Sequence, residues 1–221
     1  MTTFYLTLSS LILLWAIWSG SWKVLFKSTV IYSVLGGIVA LGFAWNMKAV
    51  MNGMAAEALV GLSFQFFGAS LLVAMYGLRP AVVMLAIVTL IVSLVSGWSL
   101  DYALRQYLVL GVLPAFVACG VMRLICGCLP KHLFIFILGH GYVSGVISVI
   151  VPAILLFSLN QLTVTQQMGL SMDMVDWFIT LVILSFTEGS ISGMLLAVFV
   201  IYKPEWVPRF SDQEYLKSSE A

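Results

Sequence analysis

Glu188 stands in the middle of an apolar run, Met174–Tyr202, fourteen residues from either end. A run of that length crosses a bilayer, which leaves the carboxylate near the midplane. An acidic residue there costs roughly 2.5–3.5 kcal/mol to insert, so such groups face a bundle interior or a wet cavity. Its neighbours Thr187, Gly189, Ser190, Ser192 and Gly193 are small or polar. Two roles fit: a hydrogen-bonded lock between helices, or a group that binds or couples a substrate.

Two further polar side chains fall inside apolar stretches. Gln65 lies eight residues past Glu57, on the order of 12 Å below the outer edge at the helical rise. It reads either as an interhelical hydrogen bond, worth about 0.6–2 kcal/mol, or as part of a site. His140 lies nine residues past Lys131, between Gly139 and Gly141. It reads either as a neutral core histidine or as a ligand or proton relay. Gly141 and Gly145 form a small-xxx-small pair that lets a second helix approach closely. Gln65, His140 and Glu188 are therefore the candidate substrate-binding or coupling residues.

Catalytic patterns do not emerge from the same residues. Gly141–Gly145 and Gly189–Gly193 each carry a serine between glycines, but not in the spacing of an intramembrane serine protease. No histidine follows His140 to serve as a base, and a serine without one is a weak nucleophile. His132 and His140 are eight residues apart, which cannot make a His-Glu-x-x-His face. No glycine-rich phosphate loop with lysine is present. Cys119, Cys126 and Cys128 lack the second pair a structural zinc site needs and read as buried or interfacial thiols. The reading is of a protein that is not an enzyme, with no catalytic residues, resident cofactor or metal ligand set.

The elements that must position these groups follow from composition. Of 221 residues 62 % are hydrophobic and 9 % charged, and the mean hydropathy is +1.11. A soluble domain carries about 25 % charged residues, so the chain is a polytopic all-α membrane protein whose first partner is the lipid bilayer. A net charge of +1 offers no basic surface for nucleic acid. Seven apolar windows can be placed: Phe4–Trp18, Thr29–Trp45, Ala58–Tyr76, Pro80–Val95, Leu108–Ile125, Leu133–Leu159 and Met174–Ile201. The first and fourth are short and are expected to extend toward flanking tryptophans. The first has no Lys or Arg before it and no small-residue cleavage site after it, so it reads as a retained helix.

Charge sets the orientation. With the N-terminus outside, eight Lys and Arg fall on the cytoplasmic side and only Lys48 and Arg105 outside. That asymmetry predicts an N-out, C-in bundle of about seven helices. The seven tryptophans all fall near window ends, where indoles favour the interface. Pro114 and Pro152 interrupt the fifth and sixth windows and are expected to kink them. One transmembrane domain, residues 1–202, is followed by a short cytoplasmic tail, residues 203–221. Trp206, Phe210 and Tyr215 leave the tail two options, packing along the interface or disorder.

Several segments resemble a known family. They are Gly61–Ser70, Arg123-Leu124 with Leu129-Pro130, Phe186–Met194, and Tyr202–Asp212 with Tyr215-Leu216. Across most of residues 58–216 the chain resembles the CbiM-type membrane subunits of nickel and cobalt energy-coupling factor transporters. It is most similar to their stand-alone proteobacterial relatives, described as energy-coupling factor transporter permeases. The resemblance implies a multi-pass permease of the bacterial inner membrane. It implies transport of a small substrate or cation, with ATP hydrolysis supplied by a partner ATPase and a coupling membrane subunit. That family holds its metal with the N-terminal amine, a histidine at the second position and a histidine in the third helix. Thr2 and Gln65 occupy those positions here, so the resemblance carries the fold and topology but not the imidazole ligands. The competing reading, from another class, is a non-transporting membrane scaffold or assembly subunit of an inner-membrane complex.

Overall fold

An apolar chain with so few charges has little besides itself to satisfy its backbone, and in lipid only a helix or a closed barrel can do so. In the computed structural model the chain is described over residues 2–18, 28–51, 68–130, 132–163 and 174–210. Seven helices make up these residues. They are α1 (Thr2–Trp18), α2 (Ser28–Met51), α3 (Ala69–Tyr76), α4 (Leu78–Ser96), α5 (Leu100–Cys128), α6 and α7 (Met174–Tyr202). α6 runs from Leu133–Ile135 through a π segment, Phe136–Val143, into Ser144–Thr163. A 3-10 turn, Pro204–Trp206, follows α7.

Among the described residues, four stretches are long and apolar enough to cross a membrane: Leu78–Ser96, Leu100–Cys128, Leu133–Leu155 and Trp177–Tyr202. Large apolar side chains also point outward from α1, α2 and α7, among them Leu11, Val39, Phe43, Phe186 and Met194, each at least 60 % exposed. Water would not tolerate so broad an apolar surface; lipid does. The chain is a multi-pass membrane protein whose described residues are all-helical, without strands.

The third window is not one continuous helix. α3 begins only at Ala69, because Gly68 adopts a left-handed conformation (φ +65°) and caps it. Such a residue cannot propagate a right-handed helix, so of the window Ala58–Tyr76 the helix covers Ala69–Tyr76, while residues 58–67 lie outside the described residues. All eight residues of α3 are buried, against α4, α5, α6 and α7. They form the centre of the main core with Val82, Leu85 and Val88 of α4, Leu196 and Val200 of α7, and Val207 beyond it.

α5 is longer than its window. Ser99 caps it by accepting the Tyr102 N–H (3.4 Å), and Asp101 pairs with Arg105 one turn on (3.7 Å). The two charges that end an apolar window thus support a helix at i, i+4 spacing. Its π segment, Tyr107–Val112, lies just before Pro114. A proline leaves the carbonyl four residues back without its donor and crowds it, and the wider π turn accommodates that defect. Pro152 lies inside the α-helical part of α6.

Trp45 differs from the interfacial reading. α2 continues to Met51, and the indole is 1 % exposed within the core. The tail settles on packing as far as Phe210. Val207 is fully buried, Phe210 meets Phe136 of α6 (5.3 Å between rings) and Trp206 meets Phe199 of α7 (5.8 Å).

Candidate functional site: the carboxylate at the start of α3

Glu188 is 2 % exposed and reaches from the middle of α7 to the N-terminus of α3. Its Oε1 accepts the backbone N–H of Gly68 (3.0 Å) and the hydroxyl of Ser70 (3.2 Å). Ser192 lies one turn beyond Glu188 on the same face of α7, and its hydroxyl stands 3.0 Å from that of Ser70. Ser70 has one proton and gives it to the carboxylate, so Ser192 is the donor in that second bond. Ser70 and Ser192 are both fully buried.

This arrangement answers two electrostatic demands at once. A helix N-terminus presents unpaired N–H groups and a partial positive charge, which favour an anion. A carboxylate taken out of water needs donors in return. Glu188 and the α3 N-terminus satisfy each other, and Gly68 allows the approach. A Cβ at that position would collide with the Leu41 side chain, and its positive φ disfavours any residue but glycine.

The adjacent face of the same α7 turns is held by glycines. Gly141 of α6 meets Gly193, and Gly145 meets Gly189. The small-xxx-small pair expected on α6 thus finds a second pair on α7, the two running antiparallel. That close contact and the carboxylate clasp beside it hold this stretch of α7 against α6 and α3.

His140 belongs to a different cluster. It lies in the π segment of α6, 5 % exposed, with Nε2 3.3 Å from the Cys126 sulfur and its ring edge-on to Phe136 (4.7 Å). Those partners differ from Gly68 and Ser70, which bond Glu188. Gln65 falls outside the described residues. Cys126 and His140 supply two soft donors together, and among the described residues no group of three or more His, Cys, Asp or Glu side chains stands close enough to hold a metal ion.

The residues that complete the Glu188 cluster were visible as neighbours in the sequence rather than as partners. Ser192 follows Glu188 at i+4, a spacing that already puts both on one helical face. Ser70 and Gly68 are more than a hundred residues away, and nothing local announces their pairing. Comparison with protein-family models, curated proteins and solved structures finds no match to this chain.

Proposed function

We propose that the chain is a permease-like membrane subunit that moves a small substrate or cation, with ATP hydrolysis supplied by a partner. The observation that carries the reading is the short helix α3, whose N-terminus lies inside the bundle against the Glu188 carboxyl group. Transporters typically build substrate and coupling sites where helix ends fall near the midplane, and there helix ends and carboxylates control which charge is welcome. The resemblance of residues 58–216 to energy-coupling factor permeases points the same way and adds the ATPase and coupling subunit as partners. The orientation goes with it: N-out, C-in, in the bacterial inner membrane. Arg209 lies against the C-terminal turn of α3 and Phe210 against the start of α6, which agrees with a shared cytoplasmic end. Arg105 over the Tyr5 ring (5.7 Å) agrees with the opposite end for the N-terminus.

One observation favours the scaffold reading. Glu188 is enclosed, and its hydrogen bonds to Gly68 and Ser70 lie within the chain, as a structural lock requires. The two readings part in cells. Deleting the gene and restoring it as wild type or Glu188→Gln, at equal membrane levels, is followed by uptake of labelled Ni²⁺, Co²⁺ and other small cations. The transport reading expects uptake of at least one cation to fall on deletion, return with wild type and stay low with Glu188→Gln. Unchanged uptake of every cation on deletion would reject cation transport and favour the scaffold.

A further inference from the structure

α3 is bounded at both ends by glycines with positive φ, Gly68 at +65° and Gly77 at +92°. Among the described residues only one other residue, Gly97, has a positive φ. Such glycines let the backbone change direction at little steric cost, and small residues at element ends are common hinge points. Between them the helix is continuous. Its ladder begins with Leu72 N–H on the Gly68 carbonyl (3.0 Å) and ends with Gly77 N–H on the Val73 carbonyl (2.9 Å).

Each end of this short rod is clasped by a polar side chain from elsewhere in the chain. Glu188 holds the N-terminus through Gly68 and Ser70. Arg209 holds the C-terminal turn: its Nη1 donates to the Val73 carbonyl (3.3 Å), the same oxygen that accepts the Gly77 N–H. The Arg209 side chain also runs beside Gly77, 3.8 Å from where a Cβ would sit. Tyr76 adds a hydroxyl bond to Ser33 of α2 (2.7 Å). Arg209 is in turn part of the tail, which Val207 and Phe210 anchor to the bundle.

We propose that α3 moves as one body between its two glycines, so that the Glu188 clasp and the Arg209 clasp open and close together. A helix of two turns has no internal joint, and a shift at one end must be felt at the other. Arg209 is then a positioning residue for the buried carboxylate, acting through α3. A partner that draws the tail away from the bundle would loosen the N–H and hydroxyl donors from Glu188. That functional meaning rests on the transport reading above; the coupling of the two clasps does not.

Hydrogen exchange on the intact protein in detergent tests the coupling without any transport assay. Arg209→Gln is expected to speed exchange at the far end of α3, at Gly68, Ala69 and Ser70, about tenfold, the size set by one hydrogen bond to a charged group. Glu188→Gln is expected to speed exchange at Gly77, Val207 and Phe210 to a similar degree. Arg209→Lys keeps a donor and should leave the Gly68 end near wild type. Should Glu188→Gln fail to give a monodisperse protein, Ser192→Ala, which removes only the outer hydrogen bond, takes its place with the same expectation. Faster exchange confined to the end that carries the substitution, or no change in either variant, would overturn the proposal. Lost coupling with intact uptake sinks only this proposal, and intact coupling with no effect on uptake sinks only the transport reading.

Discussion

Gly145 of α6 lies against Gly189 of α7 with no room for a side chain between them. A methyl group on Gly145 would stand 2.8 Å from the Gly189 Cα and 3.3 Å from the Glu188 carbonyl oxygen. One turn away, a methyl on Gly141 would stand 2.7 Å from the Gly193 Cα. These obstacles are backbone atoms, so no rotamer change relieves them. The helix contact and the buried carboxylate are therefore one construction, since Glu188 adjoins the glycine that sets the distance between the helices.

Gly145→Ala is accordingly predicted to destabilise the protein by about 1–3 kcal/mol, the range for overpacking a filled interface. Gly120 of α5 is the control, because a Cβ there meets nothing within 4 Å. Gly120→Ala should leave stability unchanged or slightly raised, as alanine favours helix over glycine. Thermal unfolding in detergent separates the two. Equal melting curves for both variants would show that the close approach carries no energetic weight.

Glu188 invites a pair of substitutions that differ in what they leave behind. Glu188→Gln keeps an oxygen able to accept from Gly68 and Ser70 and replaces the carboxyl with an amide, so it is expected to insert, fold and lose about 1 kcal/mol. Glu188→Leu strands the Gly68 N–H and the Ser70 hydroxyl proton, each of which costs about 1–3 kcal/mol when buried without a partner. Melting temperatures should rank wild type, Gln, then Leu. A leucine variant as stable as the glutamine one would mean that water or other groups satisfy those donors.

How much of this was legible beforehand depended on whether the signal was local. Glu188 is recognisable because a lone carboxylate in an apolar run is expensive wherever it occurs. The Gly141 and Gly145 pair is recognisable because helical spacing puts both on one face. The start of α3 was not, since Gly68 is one of many glycines and the carboxyl group that takes its N–H lies 120 residues away. The early start of α5 was missed for another reason. An apolar window stops at Asp101 and Arg105, whereas the helix uses them as a pair. Trp45 shows the limit of the interfacial rule, because an indole near a window end is also a good core residue when its helix runs on.

The orientation can be checked directly. Eight of the ten Lys and Arg residues fall on one side in the N-out, C-in arrangement. A reporter fused after Ala221 should be active in the cytoplasm, and one fused after Gln167 should be active outside it. The opposite pair of signals would reverse the bundle and place Arg209 and the tail away from any cytoplasmic ATPase.

The sharpest expectation concerns metal. Nickel and cobalt sites select by ligand type and geometry, and imidazole nitrogens suit Ni²⁺ far better than amide oxygens or hydroxyls do. Under the proposed relation to nickel and cobalt energy-coupling factor subunits, Thr2 and Gln65 would stand where that family carries its two histidines. The isolated protein is therefore predicted to bind neither Ni²⁺ nor Co²⁺ tightly, and its expression alone should not restore uptake in cells lacking a transporter. Thr2→His combined with Gln65→His, with Met1 and a free amine retained, should raise affinity if the helices hold the family geometry. Calorimetry in detergent measures both proteins. Binding of Ni²⁺ to the unaltered chain at micromolar or lower dissociation constant would overturn the prediction and point to a different ligand set. Cys126 and His140, whose sulfur and nitrogen already stand 3.3 Å apart, would be the first pair to replace.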